Sequence, residues 1–132
     1  HVLVVDDSVV ARNQIKRTLE KIGVELTMAK DGEEALEILQ GWAEQPDSPL
    51  ARLLLVISDI EMPRMDGYTL TKNIRQNERL QRLYVLLHTS LSGVFNQDLV
   101  QRVGANDFLA KFHPVELAER VLALMDKVRA RV

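Results

Sequence analysis

The chain has 132 residues, a formal net charge of −2 and no cysteine, which suits one domain with its own core and excludes disulfide or thiolate-metal staples. No basic stripe stands out for a nucleic-acid partner, no apolar run approaches the roughly 20 residues of a membrane helix, and no signal peptide is visible. A reducing cytosol is the expected setting.

Val2-Leu3-Val4-Val5 reads as a first strand, followed directly by Asp6-Asp7. Ala11, Ile15, Thr18, Leu19 and Ile22 then fall on one helical face, which Gly23 ends. Val24 to Ala29 is a second strand. Asp31 and Glu34 form a capping box for a helix that turns Ala35, Leu36, Leu39 and Trp42 inward. The stretch from Gly41 to Leu50 holds Gln45-Pro46-Asp47-Ser48-Pro49, a loop signal. A third strand from Leu53 to Ser58 leads into a turn-rich loop from Asp59 to Gly67. A helix follows, with Leu70 and Ile74 facing the core and Ile60 close by. Leu83 to His88 is a fourth strand, and Asn96 to Val103 a helix stopped by Gly104. Asp107 to Ala110 is a fifth strand. Pro114 opens a last helix whose stripe is Leu117, Ala118, Val121, Leu124, Met125 and Val128. Five strands alternate with five helices, which predicts an α/β fold with right-handed crossovers.

The first, third, fourth and fifth runs end in Asp6-Asp7, Asp59, His88-Thr89 and Lys111. Short β-branched runs suit strands of a parallel sheet, and such sheets bind ligands beyond the carboxyl ends of their strands. Three crowded carboxylates repel one another unless a cation joins them. With a lysine and a hydroxyl added, the set suits a dianionic phosphoryl group. Each residue also has a plainer reading. Asp59 could cap nearby backbone, Asp7-Ser8 could be a helix N-cap, Thr89 a turn former and Lys111 a surface lysine.

The pair Asp6-Asp7, the loop Asp59-Ile-Glu-Met-Pro-Arg-Met-Asp-Gly67, Thr89 and Lys111 together resemble the receiver domain of two-component response regulators, over essentially the whole chain. Asp59-Ile-Glu-Met-Pro, Leu87-His-Thr-Ser-Leu-Ser-Gly-Val-Phe-Asn96 and Asp107-Phe-Leu-Ala-Lys-Phe112 are similar, more narrowly, to the C-terminal receiver of CheV-type chemotaxis coupling proteins. The resemblance implies a flavodoxin-like, CheY-like fold with five parallel strands in the order 2-1-3-4-5. It implies a Mg²⁺-dependent switch domain, not an enzyme in its own right, that takes a phosphoryl group from a histidine kinase, here the chemotaxis kinase CheA. Asp59 becomes the phosphoacceptor, with Lys111 and Thr89 as its catalytic partners. Asp7, Asp59 and the Glu61 backbone carbonyl become metal ligands, with Asp6 acting through water. Thr89 and Phe108 become switch residues.

Some positions depart from the family pattern. Phe108 has no hydroxyl where receivers often carry Tyr. Phe112 follows Lys111 where most have a cis-proline, and a cis bond there costs about 2.5–4 kcal/mol, so the Lys111–Phe112 bond is left open. Glu61 and Leu91 occupy places that tune hydrolysis of the phosphoryl group. His88 and His113 have no ligand spacing between them and read as ordinary, and the 45–49 loop reads as a surface insertion.

The chain opens on His1 directly before a strand, so a domain cut from a longer protein is expected. A preceding CheW-like domain would connect it to the chemoreceptor array. Direct contact with nucleic acid or membrane is not expected. Three rivals stand beside this reading. One is the receiver of another response regulator with a separate output domain, and another a degenerate receiver that only binds. The third is a phosphohydrolase of the haloacid-dehalogenase type, which usually carries Asp where Glu61 stands.

Overall fold

In the computed structural model, which describes residues 1–88, 97–109 and 113–130, the apolar runs form one parallel sheet. Its strands are β1 (Val2–Val5), β2 (Leu26–Ala29), β3 (Leu55–Asp59), β4 (Val85–His88) and β5 (Asp107–Leu109), in the order β2-β1-β3-β4-β5. The order is that of CheY-like receivers. β1, β3 and β4 are buried along their whole length because helices cover both faces. The edge strands β2 and β5 are only partly buried.

The helices are α1 (Val9–Lys21), α2 (Gly32–Ala43), α3 (Gly67–Gln76), α4 (Gln97–Arg102) and α5 (Pro114–Ala130). Alternation along the strands divides the core in two. Val2, Val4, Leu55, Ile57, Leu86 and Leu109 pack with Ile15 and Leu19 of α1 and with Leu117 and Val121 of α5. Leu3, Val5, Val56, Val85 and Leu87 pack with Ala35 and Leu39 of α2, Leu70 and Ile74 of α3, and Val100 of α4. Phe108, half-buried, packs on this second side. Among the described residues no helix is long and apolar enough to cross a membrane.

Side chains start three of the helices. Ser8 accepts from the Ala11 N–H (3.2 Å), Asp31 from the Glu34 N–H (2.8 Å) and Asp66 from the Thr69 N–H (2.7 Å). The Glu34 carboxylate reaches back to the Lys30 N–H at 3.4 Å, one residue before the cap that a capping box would use. The Arg75 guanidinium of α3 donates to the carbonyls of Gly104 (2.9 Å), Gln81 (3.0 Å) and Leu83 (2.7 Å) and to Asn106 Oδ1 (2.6 Å). It thereby fixes the chain leading into β4 and β5.

Several boundaries differ from the sequence reading. The ladder of β2 begins at Leu26, although Val24 is buried just before it. Residues 49–52 form a short 3₁₀ helix in place of plain loop, begun by Ser48. Val128, assigned to the inward stripe of α5, is 46% exposed. The 17-residue helix outruns a sheet whose strands are three to five residues long.

The stretch from Gly41 begins inside α2, which runs on to Ala43. An added Cβ at Gly41 meets nothing within 4 Å. Glycine inside a helix costs roughly 0.5–1 kcal/mol relative to alanine, so Gly41→Ala is expected to stabilise the domain by about 0.5 kcal/mol near the helix end. A denaturant midpoint that stays put or falls would contradict this.

Candidate functional site

Parallel pairing brings the site together. Val5 stands opposite Ser58 and Asp59 opposite His88, so Asp6, Asp59 and His88 form a row across β1, β3 and β4. Alternation from Val4, Ile57 and Leu86 turns all three toward the α1/α5 side. All three are buried, with exposures of 0%, 3% and 2%. One donor atom from each lies within 4.8 Å of the other two.

Asp6 Oδ1 accepts from the Ser8 N–H at 2.9 Å, while Oδ2 faces His88 Nε2 at 3.6 Å. Neither Oδ2 nor either ring nitrogen of His88 has a hydrogen-bond partner among the described residues. Asp59 Oδ1 accepts from the Ile60 N–H at 2.9 Å. The Arg12 guanidinium donates to the Asp6 main-chain carbonyl at 2.6 Å.

Burial and crowding set the proton affinities. Burial above all, then the negative charge of Asp6, pushes the Asp59 carboxyl up to about 7. The Ile60 N–H opposes this, Asp7 adds to it, and the Glu61 N–H opposes it again. Burial likewise raises Asp6, against the pull of the Ser8 N–H. Burial pushes His88 down to about 4, leaving the ring neutral at ordinary pH.

Residues 60–66 wrap the open side of Asp59, and two glycines seat them. The Gly67 N–H donates to the Ile60 carbonyl (2.9 Å) and the Gly32 N–H to the Met65 carbonyl (3.2 Å). Cβ atoms at these positions would stand 2.4 Å from the Asp59 carbonyl oxygen and 2.6 Å from the Met65 one. Arg64, at φ 70°, lies in the left-handed region, its guanidinium 3.6 Å from Asp31 and 3.4 Å from Glu33. Asp7 and Glu61 are exposed and share an open hollow with Met62, Pro63 and Tyr68. The buried oxygen of Asp6 without a partner and the raised Asp59 carboxyl both fit a divalent cation. Oxygen donors beside open solvent are what Mg²⁺ takes.

Thr89, Ser90, Leu91, Lys111 and the Lys111–Phe112 bond lie outside the described residues. The sequence reading brought Asp6, Asp7 and Asp59 to one place, and the structure does the same. It passed over His88. Alternation from Leu86 and pairing beside Asp59 were the signal, but they appear only once the register is known. Asp66, the cap of α3, was missed too.

Residues 2–122 match the response regulator receiver domain family. The chain is 32% identical over 127 residues to the chemotaxis protein CheV3 of Helicobacter pylori, covering 96% of this chain and 41% of that protein. It is 34% identical over 125 residues to the probable transcriptional regulator ycf27 of Cyanophora paradoxa, covering 94% and 47%. Among solved structures, the chemotaxis response regulator CheY4 of Vibrio cholerae superposes with a TM-score of 0.77 at 31% identity, covering 93% of this chain and 96% of that one. The chain thus spans less than half the length of these curated relatives. The family match decides for a signalling switch over the haloacid-dehalogenase-type hydrolase: the chain belongs to the response regulator receiver domain family.

Proposed function

We propose that this receiver takes a phosphoryl group onto Asp59 from a phosphohistidine of a kinase. The observation that carries the reading is the buried Asp59 carboxyl, raised to about 7 beside Asp6 and Asp7. Such a cluster is unfavourable without a cation and well made for one. Asp7, the Asp59 carboxylate and the Glu61 main-chain carbonyl would hold Mg²⁺, with Asp6 acting through water. The bound cation supplies charge neutralisation for the carboxylates and the incoming phosphoryl oxygens.

An Asp59 oxygen attacks phosphorus, the donor's N–P bond breaks, and the leaving imidazole takes up a proton. The Ile60 N–H holds the other Asp59 oxygen and orients the attack. Lys111 and Thr89, by the family resemblance, pair with the phosphoryl oxygens. Thr89 then draws toward the new charge and Phe108 repacks against the α4 side, an output driven by differential contacts in two states.

The similarity to CheV3 supports a cytosolic chemotaxis setting, with CheA as donor and a preceding CheW-like domain as the link to receptors. The similarity to ycf27 supports a second reading, a receiver with a separate output domain. The domain that adjoins this chain in the full-length gene product decides between them.

The test is labelling with phosphorylated kinase and with a small phosphodonor, each with and without Mg²⁺, the modification being located by mass. Asp59 is expected to carry the label only with Mg²⁺, and undiminished labelling of Asp59→Asn would overturn the mechanism. Val9 opens α1 beside the site at 60% exposure. An exposed apolar residue there suits a helical phosphohistidine partner. Val9→Glu is expected to slow transfer from kinase at least tenfold and to spare the small donor, a tenfold loss being about 1.4 kcal/mol of barrier. Equal loss with both donors would argue against docking at Val9.

A further inference from the structure

We infer that the His88 imidazole is a nitrogen donor to the cation site, which makes this receiver prefer borderline divalent cations such as Ni²⁺ and Co²⁺ to Mg²⁺. The inference rests on the acidic cluster being a cation site, as proposed above.

β4 delivers His88 to the carboxyl end of the sheet in register with Asp59, and strand alternation turns its ring and the carboxylates of Asp6 and Asp59 to one face. Nε2 stands 3.6 Å from Asp6 Oδ2, and the donor atoms of Asp6, Asp59 and His88 lie within 4.8 Å of one another. Ligands around an octahedral ion with bonds of about 2.1 Å lie about 3 Å apart when adjacent and about 4.2 Å apart when opposite. Asp59 and His88 therefore stand within reach of one ion, which Asp6 can join directly or through water.

Two further observations point to a ligand. His88 is 2% exposed, yet neither ring nitrogen has a hydrogen-bond partner among the described residues, and Asp6 Oδ2 shares that condition. Buried polar atoms are nearly always paired, so an unpaired row of this kind calls for a bound group. An imidazole nitrogen that carries no proton has a lone pair to give. Oxygen donors alone suit Mg²⁺, whereas an imidazole added to carboxylates favours Co²⁺, Ni²⁺ and Zn²⁺. The donors here are three buried side chains. The Mg²⁺ set proposed above draws instead on two exposed residues, Asp7 and Glu61.

The test uses the untagged chain, titrated separately with Mg²⁺, Mn²⁺ and Ni²⁺ by calorimetry, with pulsed EPR of the Mn²⁺-loaded protein. The expected spectrum carries the ¹⁴N coupling of a directly bound imidazole, and His88→Leu removes it. The preference for Ni²⁺ over Mg²⁺ is expected to fall by about tenfold or more in His88→Leu and in His88→Asn. Circular dichroism and thermal melting of both variants show whether the fold is kept. Absence of ¹⁴N coupling in the wild type would overturn the inference. An equal loss for all three cations in the folded variants would overturn it too, leaving His88 as a support for Asp6 alone. Failure of Asp59 labelling would strike the phosphoacceptor reading and leave the EPR result standing, so the two fail separately.

Discussion

Asp59→Asn is expected to make the cation-free domain more stable at pH 8 and no more stable at pH 4. Asp59 has an ordinary carboxyl value of 3.8, and the fold raises it to about 7. Between those values the folded protein keeps a proton that the unfolded chain has lost. Stability therefore falls as pH rises through this window, and the loss is complete above it. Roughly three pH units correspond to about 4 kcal/mol. Asp6 is raised as well and adds in the same direction. Asparagine keeps the shape and the acceptor for the Ile60 N–H but carries no charge. The variant should gain about 2–4 kcal/mol at pH 8, read from denaturant midpoints across pH. Mg²⁺ should stabilise the wild type at pH 8 and the variant much less. A variant no more stable than wild type at pH 8 would mean that the cluster is not strained.

Gly67→Ala is expected to cost about 3 kcal/mol and to weaken cation binding together with phosphate acceptance. The added Cβ would lie 2.4 Å from the Asp59 carbonyl oxygen, 3.1 Å from Ile60 Cα and 3.2 Å from Asp59 C. All three are backbone atoms, so no flexible side chain can yield. The strain falls on the peptide that carries the Asp59 carboxyl. The same substitution at Gly41, where nothing lies within 4 Å, works in the opposite direction. A Gly67→Ala protein with wild-type stability and wild-type labelling would show that the 60–66 loop gives way freely.

The three central strands, and the carboxylates that end two of them, were legible because strands buried on both faces are written as unbroken apolar runs. The edges were less so. Val24 is apolar because it is buried, but it does not join the ladder, and hydrophobicity records burial, not pairing. Gly41 opened the stretch read for its loop signal, yet α2 runs on to Ala43. Trp42, partly buried against the core and edge-on to the His1 ring at 5.8 Å between centroids, is part of the tertiary packing that carries α2 past Gly41. His88 gave no signal because its neighbours Asp6 and Asp59 are distant in sequence and adjacent only across strands. The close approach at Gly32 and Gly67 is likewise a tertiary fact, invisible to local propensity.

The chain's first strand lies in the interior of its sheet. β1 pairs with β2 on one side and with β3 on the other, Val2 opposite both Leu26 and Leu55. During synthesis one flank of β1 stays open until β3 has been made and has left the ribosome. That non-local closure slows folding, because the loop entropy comes due before the contacts form. Asp6 follows β1 and Asp59 ends β3, so their repulsion is absent until these two strands pair. It opposes only the paired β1–β3 seam, whose opening it should speed more than it slows the first steps of collapse.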